Sequence, residues 1–278
     1  MPKAARDLQM KLSALGRLAD PDLRPAEALL LLAALDCPEC EFDGYRGFLD
    51  GLAEDVRTAT RGVDGALPLA EAIFQVLGHA YGFRGDHGDD DDISNSNLIW
   101  VIEHRQGVGG ILAVLAMDAA RLAGLNAHVL AFPAHMLLRL EDEGGRRVIL
   151  DPLLDGQPVE PPGMRALLKA AAGNAAELEP SHYTAMGNRD LVVRLQNDAK
   201  LRLLRCGQME RALRLVEATL LVAPETCMLW REAGLMHLRL NNPSGAVAAL
   251  EQFVARTTNA MARARTQSML AELKSRLS

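Results

Sequence analysis

The sequence has few aromatic residues, with two Trp, three Tyr and six Phe among 278 residues. Stacking on bases needs aromatic platforms, and binding to phosphates needs a broad basic surface. The chain has few aromatic side chains for stacking. It also has no overall basic excess, because its formal net charge is −6 and its pI is near 5.7. We therefore expect no nucleic-acid partner.

Long apolar runs are missing as well. The longest, residues 26–35, falls far short of the roughly 20 residues that cross a bilayer. The first residues contain neither the apolar stretch nor the cleavage site of a secretory signal. We expect a core helix at this run, no membrane partner and a cytoplasmic location.

Only four cysteines are present: Cys37, Cys40, Cys206 and Cys227. Such a scattered set, without a secretory signal, favours free thiols in a reducing compartment over a disulfide framework. Cys37 and Cys40 have the C-x-x-C spacing of zinc sites and redox dithiols. No second ligand pair follows them, however, and the pair comes after a helix instead of opening one. We predict an incidental pair at a helix end, and neither a metal nor a cofactor.

Hydrophobic periodicity predicts a first domain over residues 1–188. Apolar residues at helical spacing indicate a helical layer in residues 1–82, and a core with a central helix at residues 110–123 spans residues 83–155. Alternating segments then predict three short antiparallel strands, followed by a Pro/Gly-containing connection over 156–188. The strands are expected at residues 127–132, 135–140 and 147–150. Helices followed by an antiparallel sheet make an α+β fold.

A second, all-helical domain is predicted for residues 189–278. Its residues repeat at a spacing of 34, the tetratricopeptide period, as in Ala212 with Ala246 and Leu204 with Leu238. Two such repeats are fewer than the three or so that are stable alone, so we expect them to bury part of their apolar surface by docking on the first domain. The repeats are either a peptide-binding groove or a helical support.

Four ordered motifs carry a resemblance to a known family: residues 95–107 (NSNLIWVIEHRQG), 121–124 (RLAG), 132–135 (FPAH) and 149–152 (ILDP). Together with the repeats, they resemble the SirB-type transglutaminase-like family. The resemblance implies a papain-like domain with a helical N-terminal layer and a tetratricopeptide tail. It also implies a bacterial, cytoplasmic protein of a family largely without an established activity.

Active transglutaminase-like proteins carry a catalytic Cys, His and Asp in that chain order. The resemblance assigns the second and third positions to His135 and Asp151. It places the nucleophile at the start of the central helix, about fifteen residues before Gly124, where this chain has Gly109. A glycine supplies no thiolate. We therefore expect no confident catalytic residue, and a small hollow beside Gly109.

Each remaining candidate has two interpretations. His135 is either a remnant base or a histidine satisfied within an apolar strand, and Asp151 is either its partner or a turn former. The glycines around Gly109 either expose N–H groups for an anion or permit close packing. Candidate binding residues are Asn95, Asn97, Gln106 and Gly110.

An acidic run begins at Asp86 and continues through Asp89–Asp92. Its oxygens could ligate calcium, but the closing Glu of an EF-hand loop would fall at Asn97, so a solvated loop is favoured.

Three functions follow from these observations. The first is a non-catalytic module that binds a protein or peptide. The second is a hydrolase or acyl-transfer enzyme that uses His135 and Asp151 with an unrecognised nucleophile or a metal. The third is a regulatory subunit of a larger complex. The degenerate nucleophile position favours the first. The sequence leaves the oligomeric state open.

Overall fold

The structure is a computed structural model that describes residues 3–37, 40–86, 88, 93–133 and 135–277. The chain divides into two compact units. Asp20–Leu191 form one, and Met1–Ala19 with Val192–Ser278 form the other. We call them the core unit and the repeat unit.

The α-helices of the described residues are α1 (Lys3–Gly16), α2 (Pro25–Ala34), α3 (Phe42–Ala59), α4 (Ala66–Phe74), α5 (Leu98–His104), α6 (Gly109–Leu122), α7 (Pro161–Ala172), α8 (Asn188–Arg205), α9 (Met209–Val222), α10 (Cys227–Arg239), α11 (Pro243–Arg256) and α12 (Ala260–Leu277). A π-helical turn, Gln75–Ala80, follows α4. No helix among these described residues is both long and apolar enough to cross a membrane.

Helix α6 is the centre of the core unit. Every residue from Gly110 to Ala120 is buried, because α6 packs against α2, α3 and the strand that follows it. A helix that is apolar on all sides is a core helix. Its one buried charge, Asp118, is 5% exposed and accepts two hydrogen bonds from the guanidinium of Arg24, at 2.7 and 2.8 Å. The charge on α6 is therefore paired.

A four-stranded antiparallel sheet follows α6, and its strands lie side by side in chain order. Its strands are β3 (Asn126–Val129), β4 (Leu138–Glu141), β5 (Arg147–Asp151) and β6 (Gln157–Pro158), and a separate parallel pair joins β1 (Arg84–Gly85) to β2 (Gln106–Gly107). The three predicted strands are present, with Ala127, Val129, Leu138 and Leu140 buried. The α+β prediction is confirmed.

The prediction was wrong on two details of this sheet. β4 begins at Leu138, so His135 lies in the loop before it and not in a strand. Leu130 lies outside the regular pairing of β3 with β4 and forms an isolated bridge with Ala185. The apolar alternation of the sequence therefore continues beyond the end of β3. Leu130, Phe132 and Leu137 instead form an apolar cluster with Met164 and Leu168 of α7. Alternation alone does not separate a strand from a buried loop.

The cysteine pair also differs from the prediction. Cys37 and Cys40 are joined by a disulfide, while Cys206 and Cys227 are free. The backbone N–H of Cys40 donates to the carbonyl of Cys37 at 3.0 Å, and this turn brings the two Cα atoms to 5.6 Å. That separation lies within the range a disulfide requires. The pair therefore links the end of α2 to the start of α3.

The repeat unit is built from helical hairpins. α10 packs against α9 and α11, and α11 packs against α12. Ala212 and Ala246, the small residues 34 apart, are fully buried. α10 approaches α11 closely at Gly234, where an added Cβ would lie 2.6 Å from Cγ of Leu250. The predicted all-helical tail is confirmed.

The N-terminal helix belongs to the repeat unit. α1 packs against α9, and an added Cβ at Gly16 would lie 2.1 Å from the carbonyl oxygen of Leu221. Helical periodicity placed residues 1–82 in one layer of the first domain, because periodicity shows that a helix has an apolar face but not which partner covers it. The repeats thus gain a cover from the other end of the chain.

Candidate functional site

The candidate site is organised around His135 and Asp151, which lie 16 residues apart in the chain. Nε2 of His135 is 2.8 Å from Oδ2 of Asp151. The Asp151 side chain is 3% exposed and that of His135 is 23% exposed, so the carboxylate is buried while the imidazole is reachable from solvent. A buried carboxylate that orients an imidazole is the arrangement of hydrolytic triads.

Asp151 satisfies both of its interpretations. It is the last residue of β5, and its Oδ1 accepts a hydrogen bond from the backbone N–H of Leu153 at 3.0 Å. This bond starts the 3-10 turn Pro152–Leu154. One oxygen therefore shapes the turn and the other holds His135.

Gly109 begins α6, as the family pattern places the nucleophile, and its preceding residue Val108 is extended. The expected hollow beside it is absent, and this prediction was wrong. An added Cβ at Gly109 would lie 3.2 Å from Cβ of Leu153, which is closer than an ordinary van der Waals contact. Leu153 follows Asp151 by two residues, so the turn that starts at the carboxylate occupies the space beside residue 109.

Leu153 is also confined from the other side. An added Cβ at Gly85, in β1, would lie 2.2 Å from the carbonyl oxygen of Leu153. Similarly, an added Cβ at Gly107 would lie 2.9 Å from both methyl groups of Val101. These distances favour the close-packing interpretation of the glycines, because backbone and side chains approach where only hydrogen atoms fit. Sequence analysis did not identify Leu153 as part of the site, and the one available signal was its position two residues after Asp151.

Two of the four candidate binding residues meet at one carboxylate. Nδ2 of Asn95 donates to Oδ2 of Asp86 at 2.8 Å, and Nε2 of Gln106 donates to Oδ1 at 3.0 Å. Asn95 is 3% exposed, and its carbonyl accepts the N–H of Val108 at 3.1 Å. Asn95 and Gln106 therefore hold the segment that leads into α6.

The other two candidates are a helix cap and a buried helical residue. Asn97 caps α5, since its Oδ1 accepts the N–H of Trp100 at 3.1 Å. Gly110 is buried in the first turn of α6. The structure thus brings Asn95 and Gln106 together and gives Asn97 a local helix-capping role.

The prediction of a solvated loop was wrong for Asp86, the first residue of the acidic run. Asp86 is tied down by the two amides and by the N–H of Gly88 at 2.9 Å, so this first residue of the run was misread. Residues 89–92, the rest of the run, lie outside the described residues. Within the described ranges, no group of three or more His, Cys, Asp or Glu side chains is placed to hold a metal ion.

An open cleft of about 570 Å³ lies on the core unit, at the β6 side of the turn. Phe74, His79 and Gly82 line it from the helical side, and Asp155 and Gln157 line it from the sheet side. His135 and Asp151 are not among its lining residues. The cleft is therefore a separate surface feature of the core unit.

The fold and this site define the class of protein. The model of the transglutaminase-like superfamily matches residues 43–197, and a tetratricopeptide-repeat model matches residues 199–271. Because the first match covers more than half of the chain, the protein belongs to the transglutaminase-like superfamily, with a tetratricopeptide-repeat tail.

Similar bacterial proteins narrow this class to a more specific group. The chain is 25% identical over 244 residues to a UPF0162 protein of Xylella fastidiosa, covering 86% of both chains. It is 27% identical over 208 residues to UPF0162 protein YchA of Escherichia coli, covering 74% of this chain and 77% of the relative. Protein SirB1 of Salmonella typhimurium matches at 26% identity with the same coverage. These matches confirm the SirB-type resemblance.

Proposed function

We propose that this protein is a non-catalytic transglutaminase-like protein, a pseudoenzyme that acts in the bacterial cytoplasm as a protein-binding or regulatory scaffold. The carrying observation is Gly109. The His135–Asp151 pair is kept at 2.8 Å, but the residue at the start of α6 has no side chain, and Leu153 occupies the space beside it.

Papain-type chemistry needs a thiolate that attacks a carbonyl carbon, with the imidazole taking up the thiol proton. None of the four cysteines stands at the start of α6. Cys37 and Cys40 are bonded to each other, and Cys206 and Cys227 belong to the repeat unit. The imidazole of His135 then has no thiol to activate. Its bond to Asp151 fixes the loop before β4 to the end of β5, which is a structural role.

The tetratricopeptide tail supports the binding half of the proposal. Such repeats generally mediate contacts between proteins, because stacked repeats form an extended concave surface that can bind a partner. The core unit would then serve as a folded platform, in which the His135–Asp151 pair joins the loop before β4 to the end of β5.

The first prediction is that the purified protein shows neither amine incorporation into glutamine peptides nor peptide hydrolysis. The reason is the missing thiolate at residue 109. A fluorescent amine acceptor assay and a casein digestion assay measure the two activities. The His135→Ala variant and the iodoacetamide-treated protein serve as controls. An activity that either control abolishes contradicts the proposal and favours a hydrolase or acyl-transfer enzyme with another nucleophile.

The second prediction concerns the geometry kept at the site. In a Cys206→Ser/Cys227→Ser background, Gly109→Cys introduces a thiol at the first position of α6, where the helix dipole and the imidazole that the family pattern places beside the nucleophile both favour the thiolate. We expect iodoacetamide to alkylate it about tenfold faster at neutral pH than an ordinary exposed thiol, which corresponds to about one unit of pKa. Site-resolved mass spectrometry measures the rate.

The matched control is Gly51→Cys in α3, where an added Cβ meets no atom within 4 Å. Adding His135→Ala to Gly109→Cys separates the imidazole from the helix dipole. We expect this change to remove most of the rate difference. Equal rates for the two engineered thiols would show that neither the helix start nor His135 activates a thiol at residue 109.

A further inference from the structure

The net charge of the whole chain hides a separation between its two units. The repeat unit contains 17 basic and 8 acidic residues, a formal charge of +9. The core unit contains 13 basic and 28 acidic residues, a formal charge of −15. A unit with such an excess attracts ligands of the opposite sign. The expectation of no broad basic surface, drawn from the total of −6, does not extend to the repeat unit.

The 34-residue period places part of this positive charge on one face. Arg231 of α10 corresponds to Arg265 of α12, and Leu235 corresponds to Met269. Equivalent residues of stacked repeats lie along the same side of the array. Within α10, Arg231, Leu235 and Arg239 follow each other at intervals of four, so they share one face of the helix. We call these five residues the Arg–Leu/Met face.

The arginines of this face have no counter-charge of their own. Arg231, Arg239 and Arg265 are exposed, and within the described residues none makes an ion pair. Other basic residues of the unit do have acidic partners: Lys200 lies 2.7 Å from Glu232, and Lys274 lies 2.7 Å from Glu251.

Apolar side chains accompany the arginines. Met269 is 38% exposed, and Met228 and Met261, each the second residue of its helix, are 49% and 65% exposed. Methionine is flexible and polarizable, and it is over-used on surfaces that accept varied partners. Neighbouring cations and exposed apolar groups fit a ligand that presents carboxylates and apolar side chains together.

A polypeptide fits this pattern better than a nucleic acid does. Single-stranded nucleic acids are bound by cations along the phosphate backbone together with aromatic side chains that stack on the bases. α10 and α12 contain one aromatic residue, Trp230, and the guanidinium of Arg256 lies 5.4 Å from its ring centroid. The indole N–H also donates to the carbonyl of Pro224 at 2.8 Å. Trp230 therefore already contacts Arg256 and Pro224 within the protein, and it is not a free platform for a base.

We propose that the Arg–Leu/Met face binds an acidic, partly apolar segment of a partner protein. Carboxylates of the segment pair with Arg231, Arg239 and Arg265, and its apolar residues contact Leu235 and Met269. This inference rests on the proposed function, because it names the class of partner that the scaffold would hold. Arg231 and Arg239 are separated by roughly 12 Å along α10, at 1.5 Å per residue, so a short segment reaches both.

The test uses the full chain and fluorescence anisotropy. The probe is a labelled peptide of about 12 residues in which pairs of Glu alternate with Leu, long enough to span roughly 40 Å when extended. A peptide with Gln in place of Glu and a single-stranded oligonucleotide of the same charge as the acidic probe are the other arms. We expect the acidic peptide to bind most tightly, with an affinity that falls as salt is added.

The variant Arg231→Glu/Arg265→Glu should weaken acidic-peptide binding by about tenfold or more, because two attractive pairs become repulsive. Arg6→Glu/Arg214→Glu is its matched control. Both of its arginines are exposed residues of the repeat unit outside the face, and the change in net charge is the same. We expect this control to stay within about twofold of the wild type, since distant charges are screened.

Each other outcome overturns a specific statement. Equal loss in the two double variants would mean attraction by overall charge and not by the face. Tighter binding of the oligonucleotide would replace the protein partner by a nucleic acid. Equal binding of the Gln and Glu peptides, unaffected by Arg231→Glu/Arg265→Glu, would leave the binding scaffold standing without this acidic partner. Self-association that the same variant abolishes would make a second copy of the chain the occupant. Failure of every peptide to bind would refute this inference, while an activity dependent on His135 would refute the proposed function itself.

Discussion

Asp118→Ala is expected to lower the free energy of unfolding of the core unit by about 3–5 kcal/mol, because it removes one partner of a buried ion pair. Asp118 lies in the middle of α6 and is 5% exposed, while the side chain of Arg24 is 23% exposed. The hydrogen bonds that Arg24 donates to Asp118 raise the pKa of Arg24, so the arginine stays charged and loses its buried carboxylate in the variant. Chemical denaturation monitored by circular dichroism measures the change.

Two controls separate the pair from its surroundings. Asp50→Ala removes the weaker partner of Arg24, a 59% exposed carboxylate at 3.4 Å, and should cost less than about 1 kcal/mol. Arg24→Met/Asp118→Leu replaces the pair by apolar side chains and should recover most of the loss. A single Asp118→Ala variant as stable as wild type would show that the pair does not hold α2 on α6.

Residues 192–278 expressed without the first 19 residues are expected to show no cooperative thermal unfolding. The fragment contains the repeats but lacks α1, which packs against α9. Two repeats alone leave an apolar surface exposed to water, and about three are needed for stability. Thermal melts followed by circular dichroism and calorimetry test this, and a sharp, reversible transition of the fragment would contradict it.

The role of α1 can be checked separately in the full chain. Gly16→Ala places a methyl group 2.1 Å from the carbonyl oxygen of Leu221, so α1 must shift away from α9. We expect a loss of about 1–3 kcal/mol, typical of overpacking. Gly51→Ala in α3 adds the same atom where nothing lies within 4 Å. It should be neutral or stabilise by about 0.5–1 kcal/mol, because alanine favours a helix.

Much of the candidate site could be predicted from the order of its motifs. The pairing of His135 with Asp151 agrees with the family pattern, and Gly109 begins α6 as that pattern implied. The amides of Asn95 and Gln106 also lie together, although their common acceptor, Asp86, looked like part of a charged loop. The position of Leu153 beside Gly109 could not be predicted. An apolar residue two positions after a strand carries no sequence pattern that indicates which neighbour it will pack against.

Local patterns in the sequence determined the elements. The 3.6-residue and two-residue periods place helices and strands, the 34-residue period marks the repeats, and the residue type at position 109 determines that no thiol stands at the start of α6. These properties depend on near neighbours in the chain. Only the tertiary structure decided which distant residues meet: α1 on α9, Leu153 beside Gly109, and the arginines of α10 and α12 on an exposed face. Apolar burial and charge are non-directional, so the sequence shows that a face must be covered or paired, and the packing of the whole chain selects the partner.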